Sequence, residues 1–375
     1  MHRTGPIARR FPLVARARPP CPPLADRVDR LRALADTADQ NDDLATASAV
    51  FNQAALLASD CGLPDLARQW CHRHTGVHLR ALPVDARAAR HALEPIVNLA
   101  RLHIRAGHGD TAFHLLDSLF EAVDARTDVV IDGVSLPITQ LTRTATDHRE
   151  LRQWLWTVHL ADGSRALTSI GRWQDAHEHL HRRHGIGTRM LDGRQVAVIT
   201  HLTADNHAHA KALIDGTAAG EPWESAVTRC LAALCHADGD HATLNDITAM
   251  LEGYRPLPPT PSLAVFHGRL CLSVIDAAGG IRHPGARDLA NTLIQQTRAS
   301  RDGYLTRDVL AHDGCVTMLT NDQRRDLGEM LKATALGLRD IPTQLYARLT
   351  AALDTSEAVL ARTLAARPQR TRSVR

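Results

Sequence analysis

From about residue 26 onward, apolar positions return at helical spacing. Alanine and leucine recur at helical spacing in Leu31, Ala35 and Ala38, in Leu99, Leu102 and Ile104, and in Leu231 and Leu234. Glycine or aspartate separates these runs, so the chain reads as a series of helices joined by tight turns. A cluster of prolines at 256, 258, 259 and 261 follows Tyr254 and cannot continue a helix. Beyond it, further helices are expected over 263–277, 286–299 and 355–366, the first ending at Gly279-Gly280. The expected organisation is a Pro/Arg-rich arm at 1–25, a helical array at 26–253, a linker at 254–261, a helical block at 262–361 and a tail at 362–375.

Turn residues and small residues keep a fixed phase. Gly171 is followed five positions later by Ala176, Asp205 by Ala210 and Gly239 by Leu244, and these anchors recur every 34 residues. Four positions beyond the anchors stand Leu180, Ile214 and Thr248, and nine before them Leu167, His201 and Cys235. The same five-residue step joins Asp42 to Ala47, Gly62 to Ala67 and Gly107 to Ala112. A turn residue ends one helix, and a small residue soon afterwards lets the next pack closely against it.

The 34-residue period, with GRWQDAHEHL at 171–180, DNHAHAKALI at 205–214, GDHATLNDIT at 239–248 and DDLATASAVFNQA at 42–54, resembles the tetratricopeptide repeat. No copy carries that family's complete Trp–Leu–Gly–Tyr first helix, and the early spacings are irregular. The resemblance spans residues 30–253. It implies an all-α, right-handed array of antiparallel helix pairs, an α-solenoid, which binds peptide segments in a concave groove; it does not imply catalysis.

One stretch breaks the helical pattern. TDVVIDGVSLP at 127–137 is rich in β-branched residues and pivots on Asp132-Gly133, a type I′ hairpin signal. Two readings stand: a hairpin pairing 129–131 with 134–136, which would serve as a flap over the groove, or an irregular loop.

Charge alters the picture only at the ends. Arg3, Arg9, Arg10, Arg16 and Arg18 at the start, and Arg362, Arg367, Arg370, Arg372 and Arg375 at the finish, have no acidic residue among them. They turn a net charge of −7 for residues 26–361 into +3 for the whole chain. An acidic middle is unsuited to duplex DNA, and 3% aromatic residues leave little for base stacking. Solvated, disordered ends are expected, with loose binding to nucleic acid as their other use. The 44 basic side chains include two lysines, Lys211 and Lys332, an arginine bias of the kind a high-GC bacterial genome produces. No run of 18 apolar residues is present, and no secretory leader is expected. Seven cysteines without CxxC spacing read as reduced, mostly buried thiols of a cytoplasmic protein.

Candidate chemistry is sparse. His177 and His181, and likewise His74 and His78, stand four apart and share a helical face, the spacing of a metal-chelating pair. Arg182 and Arg183 oppose a cation beside the first pair, neither group has paired zinc-site spacing, and no metal or cofactor is expected. Asp42-Asp43 lacks the remainder of a DDxxD magnesium motif, because position 46 is threonine. No GxSxG, Walker A or strand-led GxGxxG motif occurs, so no catalytic residue is assigned. Arg282 and His283 precede an expected helix and are the candidate anion contacts. Of the five tryptophans, Trp154, Trp156 and Trp173 are the candidate partner anchors, and at least three of the five are expected in the core. Trp154 and Trp156 are expected on different faces, one toward the core. The expected function is a protein–protein interaction module, adaptor or regulatory scaffold, binding a peptide or protein on a concave helical surface. An enzyme or accessory subunit of bacterial specialised metabolism with a His-lined cavity is the alternative.

Overall fold

A computed structural model describes residues 1–236, 243–255, 257 and 260–366. Among them are seventeen α-helices and one β-hairpin. In chain order these are α1 Leu24–Asn41, α2 Leu44–Asp60, α3 Pro64–Leu79, α4 Ala86–Arg105, α5 Gly109–Ala125, β1 Val129–Ile131, β2 Val134–Leu136 and α6 Ala145–Ser169. Then come α7 Trp173–Arg182, α8 Asp192–Thr203, α9 His207–Asp215, α10 Pro222–His236, α11 Leu244–Tyr254 and α12 Ala264–Ala277. The last are α13 Pro284–Ser300, α14 Gly303–Leu310, α15 Asp313–Met318, α16 Asn321–Ala333 and α17 Thr343–Ala366. No helix of the described residues is long and apolar enough to cross a membrane.

The chain forms two compact units, each made of two stretches. Unit 1 holds Met1–Pro23 and Gly163–Thr334, and unit 2 holds Leu24–Asp162 and the chain from Ala335 onward. The breaks fall after 23, within α6 and after 334, not at the prolines of 254–261. Of those prolines, 256, 258 and 259 lie outside the described residues, whereas Pro261 opens a 3₁₀ turn ahead of α12. The tail beyond 366 is likewise outside them.

In unit 2 each of α1 to α5 packs on the next, and α17 returns to lie against α1, α2 and α3. Its buried face is Leu349, Ala352, Leu353, Ser356, Val359, Leu360 and Leu364, a stripe at helical spacing. Asp43 shows how a helix starts here: its carboxylate accepts from the Ala45 and Thr46 amides and caps α2. In unit 1 the sequence-adjacent packing continues from α7 through α11 and again from α12 through α14.

The turn-and-small-residue phase is built into the backbone. Asp42, Gly62, Gly107, Gly171 and Asp205 all have φ between 49° and 81°. Ala47, Ala67, Ala112, Ala176 and Ala210, five residues later in each case, are fully buried. A left-handed turn residue reverses the chain, and the alanine that follows lets the returning helix close in. The 239–248 copy departs from this: Gly239 lies outside the described residues, and Leu244 at the small position is exposed, as is Thr248.

The segment 129–136 is a hairpin, pairing Ile131 with Val134 and Val129 with Leu136. Asp132 and Gly133 both have positive φ, 53° and 79°, as a type I′ turn requires. The Asp132 carboxylate is held on α3 by Arg68 Nε at 2.6 Å and by His72 Nε2 at 2.8 Å. A flap would need that tip free, and here it is pinned.

Candidate functional site

Residues 1–23, expected to be a solvated arm, are instead packed into unit 1. Ala8, Phe11, Leu13 and Cys21 are buried. Arginine and proline counts favoured solvation, and the alternation of Phe11 and Leu13 is too brief to oppose them as a pattern.

The centre of this arrangement is Gln195 on α8. Residues 193–200 of that helix are buried all round, so an amide among them must find partners inside the protein. It finds them on the segment: Gln195 Oε1 accepts from Leu13 N at 2.7 Å, and Gln195 Nε2 donates to Leu13 O at 2.7 Å. Nε2 donates also to Met190 O. Both main-chain polar groups of Leu13 are therefore read by one side chain, whatever residue stands there.

Side chains of the segment are held on either side of that bracket. Arg10 Nη1 donates to Asp276 Oδ2 at 2.6 Å. Asp276 Oδ1 pairs with His312 Nε2 at 3.0 Å, and His312 Nδ1 accepts from the Cys315 amide. Burial raises the Asp276 pKa, but the His312 bond and Arg10 outweigh it and hold the carboxyl below its ordinary value. Arg16 Nη2 donates to Asp192 Oδ2 at 2.6 Å. The Arg18 guanidinium lies 3.7 Å from the centre of the buried Tyr304 ring, a cation–π contact. Further main-chain bonds run from Arg18 N to Ser262 O and from Gly303 N to Cys21 O.

Of the expected partner anchors, Trp173 belongs to this site. It is buried, and its indole N–H donates to Arg3 O at 2.8 Å. Trp154 and Trp156, both on α6, are each half-buried, so the expected division between core and solvent is not seen. Trp70 is buried, while Trp223 is half-buried with its ring edge-on to Phe266. Two of the five are thus in the core rather than three.

The remaining candidates stay apart from it. Arg282 is exposed and His283 half-buried ahead of α13, with Pro284 in its first turn. His177, His181, His201 and His209 form a chain of rings 5.3–6.4 Å apart on α7, α8 and α9. Burial and neighbouring imidazoles lower the pKa of His177 and His201. The His177–His184 run is not wholly solvated, since His179 is buried. His74 and His78 are buried side by side. Among the described residues no group of three His, Cys, Asp or Glu is arranged to hold a metal ion. All seven cysteines are buried, and burial pushes Cys71, Cys230, Cys271 and Cys315 up to about 12.

Sequence reasoning missed Gln195, Asp192, Asp276 and Tyr304. Only Gln195 left a trace, a lone amide heading the apolar run Val196-Ala197-Val198-Ile199. Compared with protein-family models, curated proteins and solved structures, the chain matches none.

Proposed function

We propose that the protein is an interaction module whose unit 1 binds an extended peptide segment of a partner among tetratricopeptide-like helix pairs. The supporting observation is the Gln195 bracket around Leu13, main-chain recognition of an extended segment by a buried side chain. Bonds to the main chain supply affinity for any extended sequence, and flanking side-chain contacts supply the choice among them. The adaptor role, the right-handed solenoid and the cytoplasmic setting belong to this same reading.

Selection from a random library of 20-residue peptides tests it. Both the intact chain and the chain cleaved after its N-terminal segment are the baits. Enrichment of peptides that Gln195→Leu abolishes is the expected result. A library from which neither bait enriches anything would overturn the reading.

A further inference from the structure

Resting on that peptide-binding reading, we propose that the site selects a basic partner segment of the form Arg-aromatic-x-aliphatic-x-x-Arg-x-Arg, and that residues 3–18 occupy it in cis as a built-in competitor.

The form is read from what holds the segment now. Arg10 meets Asp276 at one carboxylate oxygen while His312 holds the other, so the first arginine faces a carboxylate with an orienting partner of its own. Phe11 and Leu13 bury alternate side chains of an extended chain, with Leu13 bracketed by Gln195. Arg16 reaches Asp192, and Arg18 covers the Tyr304 face. The side chains of Arg10, Arg16 and Arg18 each meet an acid or an aromatic face, so the surface is complementary to a basic segment and would repel an acidic one. Each arginine could be replaced by a partner's arginine without rebuilding the site. Gln195 gives the second reason to expect an occupant: emptied of its segment, its buried Oε1 would lose the Leu13 amide it accepts from.

The tether decides who wins. A segment joined to its site by a short linker acts at an effective concentration in the millimolar range. If the segment itself binds with about micromolar intrinsic affinity, a partner is then weakened about 1,000-fold until the segment is released.

The test uses the full chain with a protease site inserted between Pro19 and Pro20, both exposed. The probe is a fluorescent peptide of residues 3–19, and helicity and gel filtration are followed throughout. After cleavage the labelled peptide is expected to exchange in with micromolar affinity, at least about 100-fold tighter than to the uncleaved chain. Arg10→Ala in the peptide should weaken it at least about tenfold. Asp276→Asn in the protein should weaken peptides that carry the first arginine and spare those that lack it, whereas Gln195→Leu should weaken both kinds. Failure of the labelled peptide to exchange, while random-library peptides still bind, would overturn the basic form and leave peptide binding standing. No peptide binding at all would remove both. Loss of helicity when the fragment leaves would make residues 3–18 part of the core and overturn the proposal. Dimers of the uncleaved chain built by mutual exchange would give the site to a second copy, and that too would overturn it.

Discussion

The imidazole of His74 on α3 lies flat against the ring of Phe51 on α2, with centroids 4.9 Å apart and planes 13° from parallel. His78 follows at 5.2 Å. Neither nitrogen of His74 has a hydrogen-bond partner, and the ring is fully enclosed. Burial, reinforced by His78 and His91, holds its pKa well below the ordinary 6.5. A charge there would have no water and no acceptor, so the ring stays neutral in the fold.

Acid should therefore weaken unit 2. The unfolded chain binds a proton at His74 below pH 6.5 and the folded chain does not, so this contribution is intact above pH 6.5 and declines below it. Urea unfolding at pH 7.5 and 5.5 should differ by about 1.4 kcal/mol on account of this one side chain. His74→Phe, which keeps the ring stack, should remove that part of the dependence. An unchanged pH slope in the variant would count against the assignment.

Asp60 should prove costly to neutralise. Its two oxygens receive Arg27 Nη2 at 2.6 Å and Arg105 Nη1 at 2.7 Å, and both Arg27 and Asp60 are buried. Asp60→Asn takes this carboxylate from a buried guanidinium and should cost about 3–5 kcal/mol in chemical denaturation. A loss below about 1 kcal/mol would mean that the two arginines find other partners at little cost.

The turns and the small residues should respond differently to added carbon. At Gly107 an added Cβ meets nothing within 4 Å, but φ is +81°. Gly107→Ala should then cost about 1–2 kcal/mol through backbone conformation alone. Ala112 is fully buried, and Ala112→Leu should cost about 1–3 kcal/mol by overpacking, with the backbone untouched. Thermal melts of the two single variants and the double variant separate these effects.

Thiol chemistry should be silent in the folded state. With Cys71, Cys230, Cys271 and Cys315 pushed up to about 12 by burial, little thiolate forms at pH 8. Ellman's reagent should react with these four slowly in native protein and with all seven cysteines in guanidinium. Rapid native labelling of Cys230 or Cys271 would show unit 1 opening locally.

The helical fold was legible because its signals are local. A positive-φ turn residue and an alanine five positions on can be read from a dozen letters, as at Gly171 and Ala176. The Asp132-Gly133 turn was legible for the same reason, with hairpin and loop separated only by the register of Ile131 and Val134. What stayed hidden depends on sequence separation. Leu13 and Gln195 are 182 positions apart, and Arg10 and Asp276 are 266 apart. No periodicity connects such pairs, so the arginine-rich segment read as solvent-facing. The histidine spacings were visible too, but spacing along a helix does not tell a buried neutral ring such as His74 from an exposed one such as His181.

Unit 2 closes only when α17 lies against α1, α2 and α3, and the whole of residues 163–334 is synthesised between those helices. On the ribosome, the faces of α1, α2 and α3 that α17 covers must wait uncovered until the chain has grown past residue 343. A message broken or a ribosome stalled before that point would leave an unclosed unit with its apolar faces open to chaperones and proteases. The returning helix thus makes burial of those faces depend on chain synthesised about 300 residues after α1, independent of anything the protein binds.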